Sequence, residues 1–158
     1  MPARRPDPAR LLAALDAQRA ALGLAAWAGP QTVPALGRAS VEAVLAALDA
    51  GAEPQREALR TAVVHLLDLL ADRAPGRAVE VRIPPYAAIQ CVAGTRHTRG
   101  TPPNVVETDA VTWIMLATGR LTWAQGAAGG KLRASGSRAN LSEYLPLAAP
   151  APGAGRHQ

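Results

Sequence analysis

The side chains of this sequence that could do acid–base or nucleophilic chemistry are few: His65, His97 and His157, a single cysteine, Cys91, and twelve carboxylates spread along the chain. Catalysis needs such groups within reach of one another, and no cluster emerges. Cys91 with His97 is the minimal nucleophile-and-base pair, an imidazole being able to take a thiol proton. Cys91, however, stands between Gln90 and Val92 in a stretch that reads as a strand, where a small buried thiol serves packing. His65 with Asp68 and Asp72 has the helical spacing of a metal site; a solvated ion pair on a polar helix face is the simpler reading. The run Arg96-His97-Thr98-Arg99-Gly100-Thr101 concentrates donors with no acid beside them. Guanidinium forks and hydroxyls suit a phosphate or carboxylate headgroup, so Arg96, His97 and Arg99 are candidate anion contacts. A loop kept polar only for solubility would carry the same residues.

Glu107 and Asp109 do not make a catalytic carboxylate pair, because Asp109 is accounted for at a helix start and Glu107 by a neighbouring arginine. Gly126 to Gly130 is not a phosphate-binding loop: it lacks the Gly-Lys-Ser/Thr ending and leads into a strand instead of a helix. The residues left to bind something are apolar. Trp113, Met115, Leu116, Leu121, Trp123 and Leu132 are either packed core or the wall of a cavity, and both demand the same residue types.

At 158 residues the chain has the length of one domain and can bury a sizeable core. Its apolar fraction of 49% is supplied by Ala, Leu and Val, with no Phe and five aromatic side chains, so each Trp counts for more than usual. Sixteen arginines and one lysine, Lys131, against twelve acids give a net charge of +5. Such a charge permits contact with nucleic acid or an anionic membrane, but the arginines are scattered from Arg4 to Arg156 with no run longer than Arg4-Arg5, which argues against nucleic acid. One cysteine excludes an internal disulfide and any multi-cysteine metal centre, and fits the cytoplasm. Leu11 to Leu22 is interrupted by Asp16, Gln18 and Arg19, so it is neither a signal sequence nor a membrane span.

These residues must be positioned by elements that the pattern also predicts. Asp7-Pro8 is a cap followed by a proline at the first helical position, and Leu11, Leu12, Leu15 and Leu22 follow before Gly23 stops the helix. Gly29-Pro30-Gln31-Thr32-Val33-Pro34 interrupts any helix, after which Ser40 is the expected cap of a second helix carrying Val41, Val44, Leu45 and Leu48. The third runs from Pro54 to Arg73, with Leu59, Ala62, Val63, Leu66, Leu67 and Leu70 on one face and Glu57, Thr61, His65, Asp68 and Asp72 on the other. After Ala74-Pro75-Gly76 the period shifts to two at Val79, Val81 and Ile83, predicting a strand. Pro84-Pro85 turns the chain into a second strand, Tyr86 to Val92. Val105 to Glu107 is a short third strand, and Thr108 is the expected cap of an almost wholly apolar helix, Asp109 to Thr118. Thr122 caps a short turn of helix with Trp123. Lys131 to Ser135 is a fourth strand, with Leu132 and Ala134 on one side, and Asn140 with Glu143 forms a capping box for a last short helix.

Three strings carry a resemblance: Val79-Glu80-Val81-Arg82-Ile83-Pro84-Pro85-Tyr86, Arg99-Gly100-Thr101-Pro102-Pro103-Asn104-Val105-Val106-Glu107-Thr108-Asp109, and Leu116-Ala117-Thr118-Gly119-Arg120-Leu121-Thr122-Trp123, continued by Gly130, Leu132, Ala134, Ser135 and Gly136. From Val79 to Leu147 the chain resembles the bacterial orthologue domain of the sterol carrier proteins. It is also similar to the C-terminal domain attached to mycothiol-dependent maleylpyruvate isomerases. The resemblance implies an α+β fold, a sterol-carrier-like mixed β-sheet flanked by helices and here preceded by about three N-terminal helices. It also implies an apolar cavity for lipid-like molecules, with no chemistry and no cofactor of its own. The isomerases bind metal through a separate helical domain with several histidines; the helices here offer one. Carrier domains line their tunnel with Phe, so an Ala-rich chain without Phe implies a cavity that is narrow or closed.

The expectation is therefore a single α+β domain over 7–147, with 7–74 its helical part and 76–147 its sterol-carrier-like part, between disordered ends at 1–6 and 148–158. Its function is expected to be that of a non-catalytic binding or carrier module for an apolar ligand. The alternatives are a closed scaffold of the same fold that meets a protein partner, and an enzyme built on Cys91 and His97.

Overall fold

The computed structural model describes residues 5–94 and 104–148. The expected disorder of the two ends therefore lies outside the described residues, except at Arg5, Pro6 and Ala148. In chain order the elements are α1 (Pro8–Ala21), α2 (Val33–Asp49), α3 (Arg56–Arg73), β1 (Val79–Ile83), β2 (Ala87–Cys91), β3 (Val105–Thr108), α4 (Ala110–Ala117), α5 (Trp123–Ala128) and β4 (Leu132–Ser135), then a turn of 3-10 helix at Ser142–Tyr144. Three helices precede a mixed sheet, and the fold is α+β. Internal contacts divide the chain into two units, Met1–His65 and Leu66–Gln158, with the division falling inside α3.

In the first unit α1 begins as its sequence dictates. Asp7 is extended, its carboxylate accepts from the Ala9 amide at 3.0 Å, and Pro8 occupies the first helical turn, where a missing N–H costs nothing. The start of α2 corrects the expectation of a cap at Ser40. Thr32 is the cap, its hydroxyl accepting from the Ala35 amide at 3.3 Å, and Pro34 sits in the first turn. The proline that reads as a helix breaker is thus a helix starter. Ser40 lies in the middle of α2, fully buried. Leu15, Leu36, Ala39 and Ala43 form the core of this unit, with Leu11, Leu12 and Trp27 packed against it. The connection between α1 and α2 is braced through Trp27. Its amide donates to Asp16 at 2.7 Å, its indole N–H donates to the Pro30 carbonyl at 3.0 Å, and the Arg19 guanidinium lies 5.7 Å from the ring centroid.

In the second unit the four strands are ordered β2-β1-β3-β4. β1 is antiparallel to β2 and parallel to β3, and β4 is antiparallel to β3. Period-two alternation places Val79, Val81 and Ile83 on the buried face, and the register sets Val81 between Ile89 and Val106. The opposite face is polar. Arg82 is aligned with Glu107, which is aligned with Arg133, so opposite charges alternate across three strands. Arg82 donates to Glu80 at 2.7 Å and Arg133 lies 3.2 Å from Glu107. On β4 only Leu132 is buried, so the expected inward position of Ala134 is corrected: at the sheet edge this residue is exposed.

The helix expected to be capped by Thr108 is capped by Asp109 instead. Its carboxylate accepts from the Thr112 amide at 2.9 Å and the Thr112 hydroxyl at 2.7 Å, an anion at the positive helix end. Thr108 completes β3, its hydroxyl donating to the Lys131 carbonyl at 2.8 Å. Thr122 caps α5 and, with Gln125, closes a capping box. The capping box expected at Asn140 and Glu143 reduces to one bond, the Ser142 amide donating to Asn140 at 2.9 Å, and the helix is a single 3-10 turn.

Asn104, 5% exposed, joins three segments of this unit. Its amide nitrogen donates to the Ala78 carbonyl at 2.9 Å, its amide oxygen accepts from the Arg138 backbone at 3.0 Å, and its carbonyl accepts from the Glu80 amide at 3.0 Å. Truncating it leaves a donor and an acceptor without partners. Asn104→Ala is expected to lower unfolding free energy by about 2–3 kcal/mol in urea titrations, with an unchanged denaturant slope.

Candidate functional site

The six apolar residues expected to line a ligand site divide by burial. Trp113, Leu116 and Leu132 are almost fully enclosed, at 1%, 2% and 6% exposure, while Met115, Leu121 and Trp123 are half-buried. Gly126 brings three of them to one point: a Cβ there would stand 2.9 Å from Leu132, 3.5 Å from Leu116 and 3.6 Å from Leu121. A glycine in a six-residue helix costs stability; here its missing side chain lets α5 lie against the end of α4 and the start of β4. The amides of Arg120 and Leu121 both donate to the Met115 carbonyl, and Lys131 donates to that of Gly126, which fixes the turns on either side of α5.

The expected headgroup contacts Arg96, His97 and Arg99 lie outside the described residues. The described residues on either side of them are held by specific bonds. Before them, Val92 holds a φ of +65°, a left-handed conformation that a β-branched side chain rarely adopts. Two backbone bonds impose it: Val92 donates to the Ala74 carbonyl at 2.6 Å and accepts from the Ala78 amide at 2.9 Å. Gly76, with a φ of +147°, packs directly on the Val92 carbonyl, where any Cβ would overlap. After them stands Asn104. Arg138 connects the two sides: its guanidinium donates to the Ala93 carbonyl at 2.6 Å, and its backbone donates to Asn104. Ala93 and Asn104 are thus tied to a common residue.

Asn104, Arg138 and Arg73 are the structurally decisive polar residues that sequence reasoning missed. Asn104 stands inside the Pro-Pro-Asn-Val-Val-Glu string, yet its partners are 26 and 34 residues away. Arg73 donates to the carbonyls of Tyr144, Pro146 and Leu147, and no local pattern marks such a fork.

The residues with chemical potential are kept apart from it. Cys91 is fully buried, and burial pushes its thiol up to about 11, so at neutral pH it is neither thiolate nor accessible. His65 requires a correction to the expected solvated ion pair. Its ring packs onto Gly37 of α2, close enough that a Cβ on Gly37 would overlap it, and its Nε2 is buried without a hydrogen-bond partner. Burial and the nearby Arg38 charge hold its pKa below the usual value. Asp68 is displaced the other way, raised by burial and by Asp72. Among the described residues no group of His, Cys, Asp and Glu is placed to hold a metal ion. Among them, too, no helix is long and apolar enough to cross a membrane.

With this geometry, residues 55–147 match the family described as bacterial SCP ortholog, the orthologues of the sterol carrier proteins. The match covers more than half of the chain, and the chain belongs to that family. It takes in α3 and every element from β1 onward, while α1 and α2 precede it. No curated protein matches the chain.

The sign of the His65 effect is testable. Its folded pKa lies below the ordinary 6.5, so the unfolded chain binds the proton more tightly and stability falls as pH drops below that value. Urea unfolding between pH 7 and pH 5 is expected to show this loss in the wild-type chain. His65→Gln removes the His65 contribution to that slope, even if the substitution lowers stability throughout.

Proposed function

We propose that this protein is a non-catalytic carrier or binding module for an apolar, lipid-like molecule. The observation that carries the reading is the family membership of residues 55–147 combined with α4, a helix apolar nearly all round whose Leu116 meets Leu121 and Leu132 at Gly126. Sterol carrier domains act by enclosing apolar molecules, and the residues gathered here are of the type that encloses one. Trp113, Met115, Leu116, Leu121, Trp123 and Leu132 are the proposed ligand contacts, with Arg96, His97 and Arg99 proposed to meet a polar headgroup. The buried, protonated Cys91 supports a role without covalent chemistry, and the proposed compartment is the cytoplasm.

The near-complete enclosure of Trp113 and Leu116 favours a second reading, in which the same fold is a closed scaffold that meets a protein partner. Native mass spectrometry of protein purified gently from its host, with organic extraction of anything released, separates the two. A stoichiometric apolar molecule is the expected result. Fluorescent fatty-acid and sterol probes are likewise expected to bind the folded chain, and Met115→Arg, which sets a charge among the proposed apolar contacts, to weaken their binding. Protein that is empty and takes up no probe overturns the carrier reading in favour of the scaffold.

A further inference from the structure

The segment after β4 follows a defined path across the second unit. At its start, Arg138 is bonded to Asn104 at the head of β3. At its end, the amides of Leu147 and Ala148 both donate to the Ala117 carbonyl at the end of α4, at 2.8 and 3.3 Å, and the Pro146 ring lies 3.3 Å from where a Cβ on Gly119 would be. The segment therefore runs from the strand ends to the helix end. It is anchored inward by Leu141, fully buried, and Leu147, 9% exposed.

Its outer fastening is one side chain. The Arg73 guanidinium, at the end of α3, donates to the Tyr144 carbonyl at 3.0 Å, the Pro146 carbonyl at 2.7 Å and the Leu147 carbonyl at 3.4 Å. The bonds to Tyr144 and Pro146 are exposed to solvent. Hydrogen bonds that water can replace are individually weak, and segments held by few buried apolar contacts open before the rest of a fold. Two buried leucines, the two amides that share the Ala117 carbonyl, the Pro146 ring at Gly119 and one arginine fork make such a segment.

We propose that Leu141–Ala148 is a strap, fastened by Arg73, that opens locally and so admits an apolar molecule to the interior beside α4. The motion is independent of any ligand; the admission rests on the carrier reading above. Release of the strap breaks the bonds from the Leu147 and Ala148 amides to the Ala117 carbonyl, so exchange of these two amides with solvent reports the opening directly.

The test is the native-state deuterium labelling rate of the Leu147 and Ala148 amides at low denaturant, in the full chain, together with uptake kinetics of a fluorescent fatty acid. Arg73→Ala is expected to speed labelling by about tenfold or more, the loss of roughly one net hydrogen bond from the closed state. Arg73→Lys falls between, since an ammonium cannot fork across the carbonyls. Val81→Ala, a core change away from the strap, controls for global stability: it must raise labelling only through its effect on complete unfolding. Probe uptake and release are expected to accelerate in Arg73→Ala in step with labelling. Labelling unchanged by Arg73→Ala, or changed only as far as global unfolding changes, overturns the strap. Faster labelling in a chain that binds no probe, wild-type or variant, overturns the carrier reading and the admission role with it, and leaves the local opening established. Faster labelling with unchanged uptake kinetics overturns the admission role alone.

Discussion

The second unit depends on satisfying the backbone where a parallel strand pair begins. β1 and β3 run side by side in the same direction, so their first residues meet at one end of the sheet, and a parallel pair cannot be closed by a tight hairpin. The buried carboxamide of Asn104 solves this with its two polar ends, taking the carbonyl ahead of β1 on one side and the amide of Arg138 on the other. Only a side chain with both a donor and an acceptor, short enough to sit at 5% exposure, meets both demands at once. The Arg138 guanidinium then reaches Ala93, and with Val92 held by Ala74 and Ala78 the connections around the sheet's end are closed by hydrogen bonds. Everything described of α4, α5 and β4 is arranged around strands fixed in this way.

Much of this was legible in the sequence because the physics was local. The switch from a period of 3.6 to 2 at Val79, the Asp7-Pro8 start, the Thr122 cap and the apolar run of α4 are written in neighbouring residues, and each stands where it was expected. What was misread involved residues whose local chemistry admits two answers. Pro34 can break a helix or begin one, and the presence of Thr32 two residues before it decides for the latter. Thr108 and Asp109 can both cap; the strand claims the threonine and leaves the aspartate to the helix. His65 reads as solvent-facing on its own helix, and the absence of a side chain at Gly37 is what draws its ring inside. The long-range polar contacts of Asn104, Arg138 and Arg73 were invisible, because nothing in a single sequence states which carbonyls lie 26 to 74 residues away.

The candidate site was legible in type more than in arrangement. Trp113, Leu116 and Leu132 were expected to be apolar wall or packed core, and their burial is common to both. Gly126 was read only as the start of a glycine-rich run leading into a strand, and it lies inside α5. Its position at the meeting point of Leu116, Leu121 and Leu132 shows a glycine acting through the volume it does not occupy. The chemistry that the sequence tempts one to assign, a thiol with an imidazole, is answered on one side: the Cys91 thiol is buried and protonated.

The sheet's outer margin has a further meaning for the life of the chain in a crowded cell. Among the described residues β4 has a strand on one side only, and an open ladder is of the kind on which another chain can condense. It is four residues long, preceded by Lys131 and carrying Arg133, both exposed, while the strand at the other margin follows Pro84-Pro85. Two copies approaching margin to margin along β4 would bring cations together and find little ladder to share. The same residues that complete the fold thus discourage it from polymerising.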